Sequence, residues 1–232
     1  VAFARGLPLV GVHHIHGHVA ANFLSDEPIR FPALCLVVSG GHSDLIIVRS
    51  EVELERIGHT RDDAAGEALD KGARVLGLGY PGGPIIDRLA RQGNPKALRF
   101  PRAYLPGSYD FSFSGIKTAL LREVQSGSAH PVEDLAAAYQ HAIVEMLVAK
   151  TMAAAKETGV REVMLAGGVA ANSELRERME AECAAAGLPI HIPPPGLCTD
   201  NAAMIASAGY FLLRAGRTAG LDLNAVASLD LG

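Results

Sequence analysis

Tryptophan is absent from this 232-residue chain, and the other large aromatics are few, seven Phe and five Tyr. An aromatic-rich recognition surface is not expected; with 25 glycines the chain is suited instead to backbone turns that approach ligands closely. Cysteine is scarce as well. Cys35, Cys183 and Cys198 are odd in number and lack CxxC spacing, which argues against a disulfide framework and a cysteine zinc cluster and points to a reducing cytoplasm. Positive charge is not in excess, with 21 Lys and Arg against 25 Asp and Glu and a net charge of −4. A nucleic-acid partner would have to be met by a local basic patch or by another subunit. No apolar run reaches the roughly 18 residues of a membrane span, and the layout of a signal peptide is missing. No membrane partner is expected.

Hydrophobic residues make up 49% of the chain, ample for a packed core. Residues 7–12 read as a strand entering a histidine-rich helix. Ala33–Val38 has the length of a buried strand, Ser39-Gly40-Gly41-His42-Ser43 is a turn, and residues 44–49 return as a second strand. Residues 62–78 have helical spacing up to Leu78-Gly79-Tyr80-Pro81-Gly82-Gly83-Pro84, which no helix should cross, and a short helix is expected over 85–92. Residues 93–115 are irregular and long enough for a functional insertion. Asp134 is the expected cap of a long amphipathic helix that reaches Thr158 and stops at Gly159. A buried strand over 163–166 leads into Gly167-Gly168-Val169-Ala170-Ala171-Asn172 and a helix to residue 186. A strand over 188–192, a stiff loop over 193–197 and a helix from Thr199-Asp200-Asn201 to near Gly216 follow. This order predicts an α/β fold, a mixed sheet with crossover helices.

His14 and His18 sit four residues apart in Val12-His13-His14-Ile15-His16-Gly17-His18. Imidazoles at i and i+4 share a helix face and can grip one divalent metal ion, but they need a third ligand, and surface histidines show the same spacing. A zinc protease would carry a glutamate directly after the first ligand, where this chain has Ile15. Ser39-Gly40-Gly41 can present backbone N–H groups to a phosphate or be an ordinary hairpin turn. Gly167-Gly168 at a strand end, with Asn172 at a helix start, puts amide donors where nucleotides bind in α/β sheets. Gly82-Gly83 can let a third segment approach a ribose, or form a structural turn. Asp200 is either a helix cap or a metal ligand, since both uses need the same oxygens. Asp70 and Asp87 are by default solvated helix carboxylates. In the insertion, Arg88, Arg91, Lys96, Arg99, Arg102 and Lys117 alternate with Phe100, Tyr104, Tyr109, Phe111 and Phe113. That composition suits RNA backbone and exposed bases, with buried aromatics and solvated arginines as the alternative.

In this order the segments resemble the bacterial tRNA N6-adenosine threonylcarbamoyltransferase family, TsaD and its archaeal and eukaryotic relatives. The residues that carry the resemblance are the histidine motif, Val37-Val38-Ser39-Gly40-Gly41-His42, Asp63-Ala64-Ala65-Gly66-Glu67-Ala68-Leu69-Asp70-Lys71, Tyr80-Pro81-Gly82-Gly83-Pro84, Phe111-Ser112-Phe113-Ser114-Gly115-Ile116-Lys117-Thr118-Ala119, Gly167-Gly168-Val169-Ala170-Ala171-Asn172 and Cys198-Thr199-Asp200-Asn201. The resemblance implies an actin-like (ASKHA) fold with RNase H-like lobes around a nucleotide cleft. Residues 1–30 would be a remnant of the first lobe carrying the metal helix; 31–232 would be the second lobe, with an insertion at about 60–130. By the same resemblance His14, His18 and Asp200 bind one divalent metal, iron ahead of zinc. Val37, Val38, Ser39, Gly40, Gly41, Asp70, Gly83, Asp87 and Asn172 would bind threonylcarbamoyl-adenylate. The implied reaction moves the threonylcarbamoyl group to the N6 amine of the adenosine 3′ of the anticodon in tRNAs reading codons that start with A. Implied partners are tRNA, a TsaB-like actin-fold subunit and a TsaE-like ATPase, with a second copy of the chain as a further candidate.

Two departures from the family pattern stand out. His16 occupies a position where many relatives carry a Glu beside the metal, and family members begin with about another hundred residues that build most of the first lobe. The chain is therefore expected to lack most of that lobe. No residue is a convincing general base, so catalysis is expected to rest on positioning, with the metal as Lewis acid and Gly40, Gly41 and Asn172 holding the nucleotide. A non-catalytic actin-like scaffold subunit of the same tRNA-modification complex, a truncated inactive fragment and a kinase of the same superfold are the rival readings. The scaffold has no need of the His14, His18 and Asp200 set, and the kinase requires a catalytic carboxylate in the first lobe.

Overall fold

An uninterrupted apolar run such as Ala33–Val38 is stable only in the middle of a sheet covered on both faces. In the computed structural model, which describes residues 1–227 and 229–231, this run is β1. The elements in chain order are α1 (Ala2–Arg5), α2 (His14–Ala20), β1 (Ala33–Val38), β2 (Ser43–Ser50), β3 (Glu53–Gly58), α3 (Ala65–Val75), α4 (Gly82–Ala90), α5 (Ser114–Gln125), α6 (Val132–Thr158), β4 (Glu162–Ala166), α7 (Ser173–Ala186), β5 (Ile190–His191), α8 (Pro195–Cys198) and α9 (Ala202–Arg214). The sheet order is β3-β2-β1-β4-β5. β1, β2 and β3 pair antiparallel as a meander, whereas β4 lies parallel to β1 and β5 parallel to β4. Among the described residues no helix is long and apolar enough to cross a membrane.

Alternation along the strands divides the core in two. Leu34, Leu36 and Val38 of β1, with Leu45 and Ile47 of β2, pack with the inner side chains of α3, α5, α6 and α7, where Tyr139, Ile143 and Leu147 are buried. Cys35 and Val37, with Ile46, Val48 and Met164, point the other way, onto Ile15 and Val19 of α2. Burying Ile15 and Val19 is worth about 2 kcal/mol each, enough to hold a short helix that would be marginal in isolation. α9 backs α2: Ser207 Oγ donates to the Ala20 carbonyl at 2.9 Å, and Phe211 meets Phe23 edge to face.

Several expectations are corrected. Residues 7–12 form no strand; Leu9 makes one isolated bridge to Ala219. β3 was not expected, because this edge strand carries exposed Glu53, Glu55 and Arg56 and draws its identity from pairing with β2. α4 starts inside the glycine-proline segment, at Gly82, with Pro84 in its first turn. Proline is tolerated there because the first turn has no intrahelical acceptors for its N–H groups, and Asp70 Oδ1 accepts from Gly82 N at 2.7 Å. α5 also went unforeseen. The cap of α6 is Pro131, and Asp134 instead accepts from Asn94 N at 2.7 Å. The strand over 188–192 shrinks to Ile190–His191, and residues 195–198 of the stiff loop form a helical turn.

Glu162, at the start of β4, is a buried carboxylate with full satisfaction: it accepts from Arg30 N at 2.9 Å, Arg30 Nε at 2.5 Å and, through His191 Nε2, at 2.8 Å. Burial opposes its charge, but the bonds from Arg30 and His191 outweigh burial and hold its carboxyl below the ordinary glutamate range. A carboxyl lowered on folding contributes stability above its unfolded value, and that contribution is lost as pH falls through the folded value. Glu162→Gln is expected to cost about 2 kcal/mol in urea unfolding at pH 7, and the difference from the parent should shrink below about pH 4.

Candidate functional site

The helix that carries the histidines is capped by one of them. His13 Nδ1 accepts from Ile15 N at 3.1 Å, while its Nε2 is 2.8 Å from the Leu229 carbonyl. One turn apart on the next face, His14 and His18 have ring centroids 4.7 Å apart and nearly perpendicular planes. Their Nε2 atoms lie 3.5 Å and 3.2 Å from Asp200 Oδ1, just before α9. Asp200 is free for this because its neighbour does the capping: Asn201 accepts from Met204 N at 2.8 Å. The capping alternative for Asp200 is thus overturned.

The three ligand atoms lie within 4.8 Å of one another, a donor set of two imidazoles and one carboxylate suited to a divalent first-row metal. His18 is the strongest sign. Its side chain is 1% exposed, and among the described residues neither ring nitrogen has a hydrogen-bond partner, Asp200 Oδ1 lying near Nε2 without the alignment of a bond. Orphaned buried nitrogens of this kind are costly unless something else occupies them. Burial, helped by neighbouring His14, pushes the His18 imidazolium toward the neutral form that can donate a lone pair. His14 and Asp200 are half-exposed and exposed, so the ligands open to solvent on one side. His16 does not face them: its Nε2 meets the Glu51 carbonyl at 2.7 Å on the opposite side of α2.

The two glycine loops come together because β1 and β4 are parallel. Gly167, with φ of 88°, brings its Cα so close to the Val38 carbonyl that a side chain there would collide. Val37 and Val38 are wholly buried and can offer a ligand only backbone atoms. In the turn, Ser39 Oγ accepts from Gly41 N and His42 N at 3.3 Å and 3.2 Å, and the Ser39 carbonyl accepts from Gly66 N at 3.1 Å. Gly66 cannot carry a Cβ, which would lie 2.5 Å from that carbonyl. Ser39 therefore fixes the turn and uses amides that the sequence suggested were open to a phosphate. The Thr199 methyl stands against Gly168, so the Asp200 segment borders the second loop. A groove of about 1240 Å³ opens beside His14 and is also lined by His42, Arg56 and Arg217.

Neither Asp70 nor Asp87 is a solvated helix carboxylate. Asp70 anchors the start of α4 and hence Gly83; Asp87 accepts from Ser173 Oγ at 2.6 Å, Ser173 N at 3.2 Å and Arg91 at 3.0 Å. Asn172 caps α7, accepting from Leu175 N at 3.0 Å, and donates to Gln140 Oε1 at 2.7 Å. Gln140, Ser173 and Glu174 were missed; the available signal was an amide on the inner, otherwise apolar face of α6. The basic insertion is not a stacking platform. Phe100, Phe111 and Phe113 are buried, Arg102 pairs with Glu145, and Lys117 pairs with Asp63, leaving Tyr104 as the exposed ring.

Solved structures with this fold include full-length HypF in a phosphate- and nucleotide-bound form, at a TM-score of 0.66 and 15% identity, covering 89% of this chain and 44% of that one. HypF from T. kodakarensis aligns at a TM-score of 0.70 and 16% identity over 92% of this chain and 37% of that one. At such identities the likeness shows the fold alone, the α/β, actin-like class expected. Sequence relatives are far nearer. The tRNA N6-adenosine threonylcarbamoyltransferase of Symbiobacterium thermophilum is 56% identical over 100% of this chain and 69% of its own length. Those of Dehalococcoides mccartyi and Clostridium botulinum are 52% and 50% identical, each matched over 100% of this chain and 70% of their own length. The family model TsaD, tRNA N6-adenosine threonylcarbamoyltransferase, matches residues 1–207, and this chain belongs to that family.

Proposed function

We propose that this chain transfers a threonylcarbamoyl group from threonylcarbamoyl-adenylate to the N6 amine of the adenosine 3′ of the anticodon in tRNAs reading codons that begin with A. The C–O bond between the carbamoyl carbon and the adenylate phosphate breaks, the N6–C bond forms, AMP leaves with the bonding pair, and the amine gives up a proton. The observation that carries the reading is His18, a buried imidazole whose nitrogens have no hydrogen-bond partner among the described residues and which lies 3.2 Å from Asp200 beside His14. His14, His18 and Asp200 would hold one divalent cation, iron with zinc as the second choice, which supplies a Lewis acid that anchors anionic substrate groups. Two histidines and one carboxylate accommodate either metal.

The remaining residues work by placement. Val37 and Val38 contribute main chain, Ser39 holds the turn that presents Gly40 and Gly41, and Asp70 fixes Gly83 by bonding Gly82 N. Asp87 and Asn172 would add side chains at the amino-terminal end of α7, which favours negative charge. A net charge of −4 leaves tRNA binding to be shared with partners, a TsaB-like actin-fold subunit, a TsaE-like ATPase or a second copy of the chain, in the cytoplasm.

Asp200→Ala should abolish tight iron or zinc binding in calorimetric titrations while leaving the urea stability of the metal-free protein within about 0.5 kcal/mol. Asn201→Ala should do the reverse, retaining the metal and losing about 1 kcal/mol through the cap. With unmodified tRNA, threonine, bicarbonate, ATP, the adenylate-forming enzyme and the partner subunits, His18→Ala should lower the modified nucleoside, read by mass spectrometry, by about a hundredfold or more. Undiminished product from a metal-free His18→Ala protein would overturn the reading. A wild-type chain that binds metal and AMP yet yields no product in that mixture would instead favour the scaffold.

A further inference from the structure

Gln140 extends from the inner face of α6 and is 2% exposed, so both ends of its carboxamide must be satisfied within the protein. The surrounding bonds leave one assignment. Leu175 N is a backbone donor, so the Asn172 atom it meets is Oδ1, and the Asn172 amide turned toward α6 is Nδ2. Nδ2 donates to Gln140 at 2.7 Å, which makes that atom Oε1 and aims Gln140 Nε2 at two acceptors, Asp87 Oδ1 at 3.4 Å and Glu174 Oε2 at 3.3 Å. The chain of donors runs from a backbone amide to carboxylates without a reversal that costs no bond.

We propose that Gln140 is a positioning residue that fixes the Asn172 carboxamide and the Asp87 carboxylate relative to each other, so that both present their remaining hydrogen-bonding positions to a nucleotide. This rests on the reading of Asp87 and Asn172 as nucleotide-binding residues. Three elements meet at this one amide: α4 through Asp87, α7 through Asn172 and Glu174, and α6 through Gln140 itself. Outside partners hold the carboxylates in turn. Arg91 and Ser173 bond Asp87, and His141 Nδ1 lies 2.6 Å from Glu174 Oε1. Gln140 is thus the sole described side chain bonded to Asp87, Asn172 and Glu174 together. Loss of the amide would free Asn172 to turn about its capping bond and would leave Asp87 and Glu174 without the donor between them.

The test is calorimetric titration of the whole chain with AMP, alongside circular dichroism and thermal unfolding. Gln140→Met keeps the length of the side chain and removes both ends of the bridge; it should retain the helical spectrum and bind AMP about tenfold or more weakly than wild type. Gln140→Glu keeps an acceptor for Asn172 but turns its second oxygen on Asp87 and Glu174, and it can bridge them only when protonated. Its affinity, expressed against wild type at each pH, should recover as pH is lowered from about 8 to about 5.5. Wild-type affinity in Gln140→Met, or a Gln140→Glu ratio that does not move with pH, overturns the proposal. If Gln140→Met does not fold, the Gln140→Glu ratio alone decides. If wild type does not bind AMP, the reading of Asp87 and Asn172 falls and this proposal with it; wild-type binding with unaffected variants removes Gln140 alone.

Discussion

β1 and β4 run parallel with Val37 opposite Ala166, so the chain leaves both strands at one edge of the sheet. The Ser39 turn and the Gly167 loop are neighbours for that reason. The contact is tight enough that Gly167 must be glycine, and it is buried on one face by α6 and on the other by α2. Displacing β4 by one residue would separate the loops and move Asp200, which follows from the same edge through α8. The site thus inherits its precision from strand pairing rather than from the loops themselves.

The same edge collects polar groups of very different cost. On the α2 side sits an imidazole taken out of water with no hydrogen-bond partner among the described residues, and on the α6 side a network in which buried donors and acceptors are matched. A packed core tolerates the second readily and the first only where a ligand repairs it. The two sides therefore differ in kind: one is complete as folded, and the other has unmet valence facing outward through His14 and Asp200.

Much of this was legible in the sequence. β1, α6 and α7 are long or strongly apolar, and Asn172 and Gly159 mark helix ends by chemistry that acts locally. The histidine pair was visible by its spacing, but spacing alone did not separate a metal site from surface histidines. What escaped depends on residues far apart in the chain. β3 exists because β2 is there to pair with it, and the start of α4 depends on Asp70, 12 residues earlier in α3. Whether Asp200 or Asn201 caps α9 is settled by backbone angles, not by identity, and the direction of His16 by where Glu51 happens to offer a carbonyl. The aromatic residues of the insertion look like a binding surface until the core that absorbs them is seen, and Gln140 looks like a lapse in an apolar face until its three partners are.

The cap on α2 has a consequence for the molecule as a whole. His13 holds its own helix with one ring nitrogen and the Leu229 carbonyl with the other, and Arg56 reaches Asp230 from β3. α2, β3 and residues 229–230 are thereby stitched at one point, next to the candidate metal ligands of α2 and Asp200. An ion held by His14, His18 and Asp200 would bridge residues far apart in the sequence, and because only the folded chain brings them together, its binding would add to the stability of the folded state. Occupancy and endurance would then become a single quantity: a protein that lost such an ion would lose with it part of what holds α2 against the start of α9.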